Sequence, residues 1–97
     1  MNTTIYYVVR SKLDGQYLAA HPNPDTAEKY ILLFPEHYDA LSYLNKFAGE
    51  LKDKLAVESI VPMQLKSVMQ RWGYAGVGLV RDPLLPKVEF LSQVKWS

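Results

Sequence analysis

The stretch RWGYAGVGLVRDP, residues 71–83, places three glycines within six residues. As a phosphate-cradling loop it would mark a nucleotide-binding enzyme; as a strand it would belong to a packed sheet. A Walker-type loop continues from its glycines into a lysine that reaches the phosphates and a hydroxyl that holds magnesium. Here Gly73, Gly76 and Gly78 are followed by Leu79, Val80 and Arg81. A dinucleotide fingerprint needs a third glycine and a helix opening behind it, whereas residues 76–81 run into Asp82-Pro83. The spacing therefore predicts a strand over 74–81, with Tyr74, Gly76, Gly78 and Val80 on one face and Ala75, Val77 and Leu79 on the other. Two positions without side chains on one face let a helix or an aromatic ring come close. A ligand approaching that face is the alternative, with Tyr74, Gly76, Gly78 and Arg81 as its candidate contacts.

Working outward, Pro62 suits the first turn of a helix, because its missing amide hydrogen has no partner there in any case. Leu65, Val68, Met69 and Trp72 recur at helical spacing, and Gly73 is a natural terminator. Residues 57–61 read as the strand before this helix. Further upstream, YILLF at 30–34 is apolar at every position, as a strand covered on both faces must be. Pro35 ends it. A helix over 36–48 follows, with Ala40, Leu41, Leu44, Phe47 and Ala48 as its stripe and Glu36 and Asp39 at its dipole-favoured end. Leu51 and Leu55 leave open whether that stripe stops at Gly49 or runs on through Lys54. Residues 5–12 and 16–20 form a hairpin around Asp14-Gly15, read as a type I′ turn that sets Ser11 beside Leu18 and Val9 beside Ala20. Residues 84–91 form a last, proline-bearing strand placed at an edge.

The order is β-β-β-α-β-α-β-β, an α/β fold (α+β as the alternative) with a mixed five- or six-stranded sheet and two helices, in a single domain over 1–97. Two β-α-β steps imply crossovers onto a partly parallel sheet. With helices so few and short, one sheet face is expected to be better covered than the other. The aromatic excess, seven tyrosines and two tryptophans, then points to closure of the second face by a homodimer.

Composition limits the chemistry. Hydrophobic residues make up 48% and charged residues 22%, as in folded rather than disordered chains. The formal charge of +1 comes without a basic block, so neither nucleic acid nor a membrane surface is an expected partner. There is no cysteine, hence no disulfide, thiolate nucleophile or zinc–sulfur site. MNTTIYYVVRSK lacks the pattern of a signal peptide, and no apolar run approaches the roughly 20 residues of a membrane span. A cytoplasmic location is expected.

Few polar residues suggest a site. His21 stands near Asp25, and a histidine–carboxylate pair can act as a general base. His37 lies in the first helical turn beside Glu36 and Asp39. Both histidines are read first as solvated surface groups, and their spacing to Asp25 or Asp39 fits no metal-ligand rule. Arg10, Arg71 and Arg81 could converge on an anion through their bidentate forks, with ordinary salt bridges as the alternative. No metal or cofactor is implied.

YILLFPEHYDALSYLNKF, followed by a strand, a short helix and RWGY, resembles small uncharacterised proteins of cyanobacteria and plastids. The matching positions are Phe34, Asp39, Ala40, Tyr43, Gly73 and Tyr74, within residues 30–80. The resemblance implies a cyanobacterial-type accessory protein and carries no activity or functional residue with it. The leading functional expectation is a non-catalytic binding or regulatory module, a homo-oligomer or the partner of another protein. A small-ligand or anion-binding domain is the second reading, and a small enzyme using His21 or His37 with Asp39 or another acid is the third.

Overall fold

The computed structural model describes residues 5–82 and 87–92. Along them run β1 (Tyr6–Ser11), β2 (Ala19–Ala20), β3 (Tyr30–Leu33), α1 (His37–Phe47), β4 (Leu55–Ile60), α2 (Pro62–Trp72), β5 (Gly76–Asp82) and β6 (Lys87–Ser92). The order is the expected one, in a mixed α/β arrangement. The part of the last strand expected over 84–86 lies outside the described residues.

β3 pairs in parallel with β5, while β2 and β6 flank that pair on either side, each antiparallel to its neighbour. β1 and β4 form a separate antiparallel ladder. Sequence order suggested β4 as a second crossover partner of the parallel pair; instead β4 pairs with β1, and β3 and β5 are the parallel neighbours. The two ladders join where Tyr7 and Phe34 exchange backbone hydrogen bonds of 2.9 and 2.8 Å. From this joint β1 and β3 diverge, and the chain before β2 fills the gap. The Leu18 N–H donates to the Val9 carbonyl at 2.8 Å, and the Leu18 carbonyl accepts from the Leu32 N–H at 3.1 Å. Leu18 is thus bonded to both arms of a V.

The first hairpin corrects the expected turn. Gly15 has φ +74°, but no described residue other than glycine has a positive φ, so Asp14-Gly15 is not a type I′ pair. The Asp14 carboxylate accepts from the Gln16 N–H at 3.0 Å, a local side-chain bond that competes with a tight two-residue turn. The Ser11 N–H donates to the Gln16 carbonyl at 2.8 Å, and Arg10 pairs with Tyr17. Relative to the expected register, Ser11 faces Gln16 instead of Leu18, and Val9 meets Leu18 instead of Ala20.

The helices follow their local signals. In α2, Pro62 occupies the first turn, the Val61 N–H donates to Gln64 Oε1 at 3.1 Å, and Gly73 closes the helix at φ +72°. α1 stops at Phe47; Gly49 takes φ +48°, and Gly49–Lys54 continues as a 3-10 turn. That turn settles the boundary left open by Leu51.

Alternation along the strands separates two cores. Val8, Ile31, Leu33, Val77 and Leu79 pack with Leu65 and Met69 of α2, while Val9, Leu32, Phe34 and Val80 pack with Ala40 and Leu44 of α1. Each sheet face carries a helix, so the expectation of one poorly covered face is corrected. This is why YILLF is apolar throughout: Ile31 and Leu33 serve one helix, Leu32 and Phe34 the other.

Candidate functional site

The corrected hairpin register places Tyr17 directly beside Arg10, whose guanidinium carbon lies 5.1 Å from the Tyr17 ring centroid. From the other side, Trp72 at the end of α2 meets the same ring edge-on, with centroids 6.3 Å apart and planes at 89°. Beneath them is Tyr74. Burial of its hydroxyl raises its pKa above the ordinary tyrosine value, while a hydrogen bond with the Tyr17 backbone partly opposes that shift. Tyr17 is therefore held by a cation, an indole and a buried phenol.

Three depressions meet at Tyr17. One of about 300 Å³ extends between Tyr17, His21, Lys29, Trp72 and Tyr74. A second, of about 280 Å³, is walled by Arg10, Tyr17, Ser67, Val68, Arg71 and Trp72. The third, about 210 Å³, runs past Val8, Glu58, Ser59, Gln64 and Val68. Adjoining depressions share Trp72 or Val68 as well as Tyr17, so they form one groove on the α2 side of the sheet. Its charge is unequal along its length. Arg10 Nη1 lies 3.7 Å from Glu58 Oε1, and its Nε donates to the Gly15 carbonyl at 2.9 Å. Among the described residues, neither Lys29 nor Arg71 has a carboxylate partner.

The residues singled out in the sequence fall at scattered positions. Gly78 is on the α1 side, where a Cβ would lie 3.0 Å from Leu32 Cδ2 and Val88 Cγ1 and 3.2 Å from Phe90 Cε1. The Phe90 ring in turn meets Tyr30, the β3 residue paired with Gly76, at 5.2 Å between centroids. What comes close to Gly78 is thus two aliphatic side chains and one ring from neighbouring strands. Tyr74 does not share that face. It precedes β5, after the left-handed turn at Gly73, and packs into the α2 core. Arg81 is exposed on β5, donating through Nε and Nη2 to Glu89 Oε2 at 3.2 and 3.1 Å. Of the three arginines considered together, Arg10 and Arg71 share a depression and Arg81 is elsewhere.

His21 lines the first depression, where its Nε2 hydrogen-bonds the Thr26 carbonyl. His37 opens α1 and meets the Tyr7 ring edge-on at 5.6 Å, with Asp39 also in that first turn. No group of three or more metal-ligating side chains occurs among the described residues, and no helix among them is long and apolar enough to cross a membrane. Sequence reading missed Tyr17 as the centre of the site and took Trp72 only as part of an apolar stripe. The one available signal for Trp72 was its place at the last turn of that stripe, just before Gly73; in the structure it is 42% exposed.

No family model matches this chain, and no curated protein does. Among solved structures, Anabaena Tic22, described as protein transport, is similar at 18% identity and a TM-score of 0.49. The match covers 88% of this chain and 38% of that one, so the chain spans well under half the length of the protein it resembles.

Proposed function

We propose that this chain is a non-catalytic binding module that takes a segment of a partner protein into the groove around Tyr17. The observation that carries the reading is the meeting of three depressions at one half-buried tyrosine, flanked by Trp72 and Arg10. Tyrosine, tryptophan and arginine are the residue types that dominate binding energy at protein interfaces, because they bury large area and keep a polar handle. A row of small depressions suits successive side chains of an extended segment better than one compact ligand.

The reading is tested by panning a displayed library of random peptides on the immobilised chain, then remeasuring synthetic peptides by fluorescence anisotropy. Trp72→Ala or Tyr17→Ala should weaken the selected peptides by about tenfold or more, while Leu41→Ala on α1 should leave them unchanged. Selection that yields no peptide sensitive to either groove variant overturns the reading.

Self-association is a second reading, favoured by apolar side chains left open around α1 and the turn after it. Tyr38 is 66% and Leu51 56% exposed, and Leu41 and Phe47 are also exposed. Light scattering of the purified chain tests this, and a monomer at every concentration examined rejects it.

A further inference from the structure

We infer that the middle depression of the groove, between Arg10 and Arg71, is a carboxylate subsite, which selects partner segments bearing an aspartate or glutamate beside an aromatic or aliphatic residue. The inference rests on the groove reading above and names what the groove recognises.

Arg10 is preorganised. Its Nε is held by the Gly15 carbonyl at 2.9 Å, and its guanidinium packs against the Tyr17 ring at 5.1 Å. Fixing the fork in advance reduces the entropy lost when it binds an anion. The carboxylate already near it is Glu58, but at 3.7 Å and with both side chains substantially exposed. That distance is too long for a well-formed charge-assisted hydrogen bond. Glu58 shows that a carboxylate reaches this guanidinium without occupying it tightly.

Across the depression stand Arg71 and Ser67, one turn apart on α2. Among the described residues Arg71 has no acidic partner. Two arginines against one loosely placed glutamate leave an excess positive charge in this depression. The remaining walls are Tyr17, Val68 and Trp72, which suit the methylene stem of an acidic side chain. A phosphate would bring about twice the charge to a site with one cation already shared. The chemistry therefore favours a carboxylate on an apolar stem.

The probe is a groove-selected peptide containing glutamate, together with its Gln and phosphoserine versions, measured against the full chain by anisotropy. Wild type should bind the Glu peptide about tenfold more tightly than the Gln peptide. Arg71→Gln should abolish that ratio by weakening the Glu peptide more than the Gln peptide, and Arg71→Lys should restore part of it. Trp72→Ala should weaken all three peptides. Equal binding of the Glu and Gln peptides, with Trp72→Ala still weakening both, overturns the carboxylate subsite and leaves the groove. Tighter binding of the phosphoserine peptide also overturns it, in favour of a phosphate site. Insensitivity of every peptide to Trp72→Ala overturns the groove and the subsite together.

Discussion

Tyr17 and Trp72 meet edge to face, their ring planes at 89° and centroids 6.3 Å apart. One residue precedes a two-residue strand and the other ends a helix in the second half of the chain. Their contact closes the groove between its two largest depressions, and Arg10 packs on the remaining side of the same phenol. The groove thus depends on a joint between distant elements rather than on any local motif.

Removing Tyr17 should loosen that joint. Tyr17→Ala loses the edge-to-face pair, the packing of Arg10 and a half-buried ring, and should cost about 2–3 kcal/mol of stability. Urea unfolding of the variant checks this. Tyr17→Phe keeps the rings in contact and should cost less than about 1 kcal/mol.

Gly78 and Gly73 should respond to alanine for different reasons. At Gly78 a Cβ would press on Leu32, Val88 and Phe90 at 3.0–3.2 Å, so Gly78→Ala should destabilise by about 1–2 kcal/mol through crowding. Trimming Phe90 to alanine in the same chain should recover part of that loss. Recovery is measured by a double-mutant cycle, in which strict additivity would contradict the steric account.

At Gly73 nothing lies within 4 Å of an added Cβ, but φ is +72°. Gly73→Ala should therefore cost about 1–2 kcal/mol through backbone strain alone. Gly73→Asn should cost less, since asparagine tolerates the left-handed region better. Thermal denaturation of the two variants ranks them.

Tyr74 should make the fold sensitive to alkali. Burial of its hydroxyl raises its pKa in the folded state, so the folded chain retains this proton where the unfolded chain releases it. The resulting stability is fully present below the ordinary tyrosine value of about 10 and is lost as pH rises through the folded value. The alkaline fall in stability should be shallower in Tyr74→Phe than in wild type. Identical slopes in the two proteins would remove Tyr74 as the cause.

Much of the fold was legible because its signals are short-range. Pro62 and Gly73 bracket α2 at the positions where backbone chemistry prefers them, and Pro35 separates β3 from α1. The unbroken apolar run at 30–34 implied burial on both sides, which Ile31 with Leu33 and Leu32 with Phe34 fulfil. The first hairpin was misread by two residues because Asp14 bonds its own neighbourhood at Gln16 instead of adopting the positive φ its dipeptide suggested. That slip hid the site, since only the observed register sets Tyr17 against Arg10.

By itself the sequence determined the number, type and order of the elements and the strand character of the glycine-rich run, because propensity, caps and periodicity act over a few residues. Only the tertiary structure decided what covers Gly78, which strand β4 joins, and that Leu18 bridges β1 to β3. The groove at Tyr17 belongs to this second group. Its walls come from β1, the segment leading into β2, β4 and α2, and only packing between elements far apart in the chain brings them together.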